Sequence, residues 1–191
     1  TVSGDAAGLT RTPLATMDQT RKQAKLEFSG VKAAALGEPG QGGAAFSATM
    51  DQASVALSNE MVGGAQFVLD TSVEYAKVRQ QFEHPLGFFQ AVKHPLVNVM
   101  IQIDQARSHL YNAACAIDHQ PGTAARAAHM AKAAASDAAA YASSRSVQFH
   151  GGIGFTWECE VQMWFKRIMF DRAFLGTPEQ HRERSARLGG W

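Results

Sequence analysis

The side chains that could do chemistry in this 191-residue chain are seven histidines, two cysteines, scattered carboxylates and several short runs of glycine. Each chemistry demands its own spacing. A di-metal helical bundle needs Glu and Glu-x-x-His pairs pointing inward from facing helices. No Glu-x-x-His occurs, and the histidines are scattered among polar neighbours, which predicts surface or core roles rather than ligation. Cys115 and Cys159 lack CxxC spacing and are expected to be buried as small apolar residues. There is no Gly-x-Ser-x-Gly elbow to carry a nucleophile. Gly151-Gly152-Ile153-Gly154 departs from GxGxxG and follows a helical pattern, so it does not read as a Rossmann turn. Three stretches remain. Tyr75 to Gln90 contains Arg79, Gln81, Phe82 and Gln90; Gln148 to Phe155 joins an amide to Gly151 and Gly152; Gly176-Thr177 follows. Taken alone, Arg79 reads as half of an interhelical salt bridge.

These stretches need elements to hold them. Hydrophobic residues make up 46% and charged residues 18%, enough apolar material for one ordinary domain or slightly more. Lys plus Arg is 18 against 17 Asp plus Glu, with no run of like charge, which argues against a nucleic-acid partner. No stretch approaches the ~18 apolar residues of a membrane span, and two cysteines fit a reducing, cytoplasmic setting. The chain opens on Thr1 rather than Met, as expected of a piece of something longer.

Ala24, Leu26 and Phe28 alternate with Lys25 and Glu27, the period of a half-buried strand. Two or three strands are too few for a stable sheet, so residues 1–40 read as the end of a β domain, closed by the Gly37–Gly43 loop. Residues 41–191 read as a helical bundle domain. Phe46, Met50, Ala53, Leu57, Met61, Gly64 and Val68 recur at helical spacing, and Gly63 and Gly64 suggest close approach of a neighbouring backbone. A second helix carries Phe89, Val92, Leu96, Met100, Ile103, Leu110, Ala114 and Ile117, with Pro95 inside it, and ends at Pro121-Gly122. An alanine-rich third runs from an N-cap at Thr123 to about Gln148, a fourth from about Glu158 to Phe174. A short polar helix covers Pro178 to Leu188 behind an N-cap at Thr177. The expected fold is mainly α, a four-helix up-and-down bundle preceded by a short β segment.

In order and spacing the three stretches resemble the C-terminal half of the acyl-CoA dehydrogenase family of flavoenzymes, from about Val2 to Leu188. The resemblance implies FAD as cofactor and an acyl-CoA thioester as substrate, oxidised between its α and β carbons. It implies that Arg79, Gln81, Phe82, Gln90, Gln148, Gly151, Gly152 and Thr177 bind FAD, largely the ADP half of a cofactor held by a neighbouring subunit. A pyrophosphate suits a guanidinium, amides and bare backbone. The run His150 to Glu158 is similar to bacterial members that act on bulky acyl-CoAs such as steroid side chains, some of them heteromeric.

The resemblance also exposes an absence. Family members abstract the α proton with a Glu just before the Gly-Thr pair, and Leu175 stands there. Others carry it two residues after an Asp on the first bundle helix, where Asp51 is followed by Ala53. Neither side chain accepts a proton. Glu158 and Glu160 lie too far along to replace it, and Glu179 occupies a position often held by a cofactor-touching Gln. Two readings stand: an acyl-CoA dehydrogenase chain that lends FAD-binding residues to a homologous, Glu-bearing partner, or a non-catalytic helical subunit with no cofactor of its own. The first implies a homo- or hetero-oligomer.

Overall fold

The computed structural model describes residues 1–191. The chain divides into two compact units, Thr1–Thr49 and Met50–Trp191. In the first, strands β1 (Leu9–Pro13) and β2 (Ala24–Phe28) pair antiparallel, Leu9 opposite Phe28 and Pro13 opposite Ala24. The alternation in β2 predicts a half-buried strand, yet β2 is exposed along its length, with Leu26 at 51% and Phe28 at 58%. Alternation reports which side chains share a face, not whether anything covers that face.

The second unit is the bundle, and α1 begins within the first unit and continues into it. Helix α1 spans Gly42–Val78, α2 Gln90–His119, α3 Pro121–His150, α4 Val161–Ala173 and α5 Pro178–Leu188. Between α1 and α2 lie two-residue strands β3 (Gln80–Gln81) and β4 (His84–Pro85) and a 3-10 turn, Leu86–Phe88; a second, Gly151–Phe155, follows α3. Helix α3 is central, packing against α2, α4 and α5. No helix is long and apolar enough to cross a membrane.

Fourteen residues of α3 are buried, mostly Ala and Ser, and their small side chains let neighbours approach closely. The buried serines of α1 cost little because their hydroxyls donate to carbonyls four residues back, as Ser58 does to Ser54 at 2.7 Å. The buried seam of α2 is Leu96, Val99, Ile103, Ala106, Leu110 and Ala113, alternating by three and four as a bundle seam requires. Met100, at 47% exposure, and Ala114 fall beside that seam rather than on it. Phe46 likewise leaves the expected face of α1, at 67% exposure.

Other details also depart from the sequence expectation. Cys115 is exposed and Cys159 half-buried, because α2 presents position 115 away from its seam. Helix α3 starts three residues earlier than the Thr123 cap predicts, behind Gln120; Pro121, whose missing N–H is no loss in a first turn, opens it. Only Gly64 marks a close approach, and to a ring rather than a backbone: a Cβ there would stand 2.9 Å from Trp164, while one on Gly63 would meet nothing within 4 Å. Helix α5 matches, with Thr177 and Gln180 forming a reciprocal capping box.

Candidate functional site

Helices α1 and α3 run parallel in constant register. Met61 meets Ser136, Ser72 meets Ser146 at 2.8 Å, and Tyr75 stacks on His150 with centroids 4.3 Å apart, offsets of 75, 74 and 75 residues. The C-terminal ends of the two helices therefore lie side by side. The Arg79–Phe82 segment and the Gln148–Gly152 segment, distant in sequence, emerge at one end of the bundle. His150 is buried and its Nδ1 lies 2.8 Å from the Ser146 carbonyl, which accepts, so this junction is pinned.

Beyond Arg79 the chain makes a two-residue hairpin, Gln80 opposite Pro85 and Gln81 opposite His84. Its loop residues, Phe82 and Glu83, both have positive φ, 52° and 63°. This is the primed turn that matches strand twist, normally built from Asn and Gly. A bulky L residue there carries strain of about 1–2 kcal/mol, and such strain concentrates at functional positions. Phe82 is 84% exposed, its ring edge-on to Phe89 at 6.2 Å, while His84 stacks on Phe88 at 4.2 Å. A Phe-Glu loop carries no Asn-Gly signal, so nothing in the sequence reveals the hairpin.

Arg79 is exposed and makes no ion pair within the chain, so it does not play the salt-bridge role it could have had on sequence alone. Gln81, Gln90 and Gln148 are exposed as well. Gly151 turns out of α3 at φ 62°, which favours glycine, and a Cβ on Gly152 would meet nothing within 4 Å. A free guanidinium, exposed amides, an exposed ring and bare backbone form a donor set suited to a flat, polyanionic ligand such as a dinucleotide. Among the sequence candidates Thr177 stands apart. It lies in the turn before α5, where Gly176 accepts from Lys132, sixteen residues before Gln148 on α3, about 24 Å of helix.

The two positions at which the resemblance implies a base are also placed by the structure. Leu175 sits in the α4–α5 turn at φ 65°, half-buried against the core, and Ala53 is half-buried on α1. Glu158 and Glu160 are exposed before α4. Glu179 is exposed and pairs with Arg172 at 3.6 Å and Arg182 at 3.3 Å; hydrogen bonds from its own backbone and from Thr177 hold its carboxyl below the usual range. Sequence reasoning missed a buried polar group under this turn: His129, Lys132, Asp171 and His181. Burial pushes the Lys132 ammonium down to about 8, against the attraction of Asp171. The only sequence signal was Lys132 standing among alanines.

The family model for the acyl-CoA dehydrogenase C-terminal domain matches residues 40–189. The acyl-CoA dehydrogenase IpdE2 of Mycobacterium tuberculosis is 37% identical over 168 residues, covering 88% of this chain and 48% of that protein. The structure of a Tcur3481–Tcur3483 steroid acyl-CoA dehydrogenase variant superimposes with a TM-score of 0.89 at 32% identity, covering 99% of this chain and 50% of that one. The ChsE4–ChsE5 complex of M. tuberculosis gives 0.88 at 26% identity, covering 97% and 50%. The chain therefore belongs to the acyl-CoA dehydrogenase family, as its C-terminal helical domain, and spans about half the length of the curated relatives it matches.

Proposed function

We propose that this chain is part of an FAD-dependent acyl-CoA dehydrogenase, oxidising the α,β bond of an acyl-CoA thioester, and that it completes the FAD site of a partner rather than supplying the base. Residues 1–40 would be the end of a β domain and residues 41–191 the helical bundle domain. The setting would be cytoplasmic. The observation that carries the reading is the Arg79 guanidinium, free of any ion pair, beside an exposed Phe82 held in a strained turn; Leu175 and Ala53, where the resemblance implies a proton acceptor, add to it.

FAD, when bound, supplies the two-electron acceptor for the dehydrogenation. Arg79 would hold the pyrophosphate through its paired N–H groups. Phe82 would cover an aromatic face of the cofactor, while Gln81, Gln90 and Gln148 would donate amide hydrogens. Gly151 and Gly152 would let the cofactor reach the backbone. Thr177, remote from these within one chain, would serve through an assembly of more than one chain. Because Leu175 cannot take up the α proton, that step would fall to a homologous Glu-bearing subunit. The heteromeric neighbours and the steroid-related relative support a hetero-oligomer and a bulky acyl group.

The test is the FAD content of the purified assembly with and without Arg79→Ala. A bidentate, charge-assisted contact is worth about 1.5–3 kcal/mol, so retention should weaken roughly ten- to hundredfold while the helical content stays unchanged. Unaltered FAD content in the variant would refute the cofactor role, and turnover by this chain purified without a partner would refute the missing base.

A further inference from the structure

A second polar cluster lies near the other end of α3, nineteen residues before Gln148 and about 28 Å away along the helix. His129 Nδ1 is 2.9 Å from His181 Nδ1. His181 Nε2 is 3.2 Å from the carbonyl oxygen of Leu175, and His129 Nε2 is 4.0 Å from Asp51 Oδ1. His181 is fully buried, and the side chains of His129 and Asp51 are only 11% and 19% exposed.

The protons in this chain of contacts follow from its two ends. A carbonyl only accepts, so His181 Nε2 carries a hydrogen. A neutral imidazole has one N–H, so His181 Nδ1 is the acceptor and His129 Nδ1 the donor of the contact between them. His129 Nε2 is then a bare lone pair turned toward the Asp51 carboxylate. The first added proton settles there, attracted by the Asp51 carboxylate 4.0 Å away, and no hydrogen bond is lost. A second proton has only His181 Nδ1 to occupy. It would set two N–H groups against each other at 2.9 Å, and the chain of contacts would break.

What hangs from that chain is a strained turn. Leu175 and Gly176 have φ of 65° and 120°. Their carbonyls are held by side chains from outside the turn, Leu175 by His181 and Gly176 by Lys132 Nζ at 3.3 Å, which also donates to Arg172 O at 3.3 Å. The turn's backbone is thus fixed whatever side chain occupies position 175.

We propose that His129 and His181 form a proton latch on the Leu175–Gly176 turn, closed with none or one added proton and released by the second. The charged groups around it are Asp51 from α1, Lys132 from α3 and Arg184 from α5, with Asp171 and Arg172 of α4 acting through Lys132. Burial lowers His129 against the pull of Asp51. Burial, then Lys132 and His129, push His181 down to about 4. Released from the turn, the imidazole would return to about 6.5. Linkage then raises the open population about twentyfold between pH 7 and pH 5.

Hydrogen exchange on the purified assembly, corrected for the intrinsic pH dependence of exchange, tests this. The Gly176 amide, which donates to Ala173 O at 3.3 Å, should lose about twentyfold in protection over that range, while amides in the middle of α3 keep theirs. In His181→Gln the amide can donate to Leu175 and accept from His129 without titrating, so protection of the turn should be flat with pH. His129→Gln, whose amide can turn its oxygen toward a protonated His181, removes the clash of two N–H groups but leaves burial and Lys132 acting on His181, so its acid loss should be smaller than the wild type's; it serves if the first variant does not fold. Nitrogen chemical shifts in the wild type should show His181 protonated at Nε2 at pH 7. An Nδ1–H tautomer of His181, or turn protection that ignores pH in the wild type, or the same acid loss in both variants, would overturn the latch.

Discussion

Gly63 and Gly64 are adjacent on α1, identical in sequence terms, and should respond differently to alanine. Both substitutions gain the same helix propensity, about 1 kcal/mol for Gly to Ala in a helix interior. At exposed Gly63 nothing opposes that gain, since a Cβ there meets no atom within 4 Å. At Gly64 the new methyl would lie 2.9 Å from Cε3 and Cζ3 of Trp164, about 0.5 Å inside ordinary contact. A flexible side-chain tip could move aside, but this is a rigid ring set against Phe67, tilted at 35° with centroids 5.3 Å apart. Helix α4 would have to shift as a body, disturbing the Arg167–Glu60 ion pair at 2.5 Å. Overpacking of this kind costs about 1–3 kcal/mol. Gly63→Ala should therefore stabilise by about 1 kcal/mol, and Gly64→Ala should range from neutral to about 2 kcal/mol destabilised. Propensity cancels in the difference between the two variants, which isolates the clash. Urea unfolding at constant slope, or melting temperatures separated by a few degrees, would measure it. Equal midpoints for the two variants would refute the packing of α1 on Trp164.

Phe82→Asn should raise the stability of the chain by about 1 kcal/mol, because Asn tolerates positive φ at a primed turn, yet lower FAD retention by the assembly; a rise in both would remove the functional account of the strain. Thr177→Ala should destabilise by about 1 kcal/mol through loss of the α5 cap, with Thr177→Ser restoring most of it; calorimetry on the three forms checks this, and an unchanged melting temperature in Thr177→Ala would contradict the capping box.

Much of this molecule was readable from local pattern. The polar helix behind Thr177-Pro178 is specified by residues within one turn of each other, so it was legible down to its cap. The helical character after Gly43 follows from spacing alone, as does the order of the three family motifs, because both are properties of the chain taken in sequence. That Leu175 and Ala53 carry no carboxylate is legible too, since residue type at one site is a fact of the sequence. The tertiary structure decided whatever depends on a partner far along the chain. Whether Leu26 and Phe28 are covered, which of Gly63 and Gly64 is crowded, and whether Cys115 faces the seam all turn on what packs opposite. The hairpin at Phe82 was hidden because its positive φ angles are imposed on residues that do not prefer them. The constant register of α1 on α3 is what brings Arg79 and Gln148 to one end, while the contact of Lys132 with Gly176 keeps Thr177 away from them. His129 and His181 look ordinary in sequence, fifty-two residues apart. Only burial against each other, with a carbonyl at one end and a carboxylate at the other, makes their protons interdependent, because hydrogen-bond direction and desolvation exist only once the chain has folded.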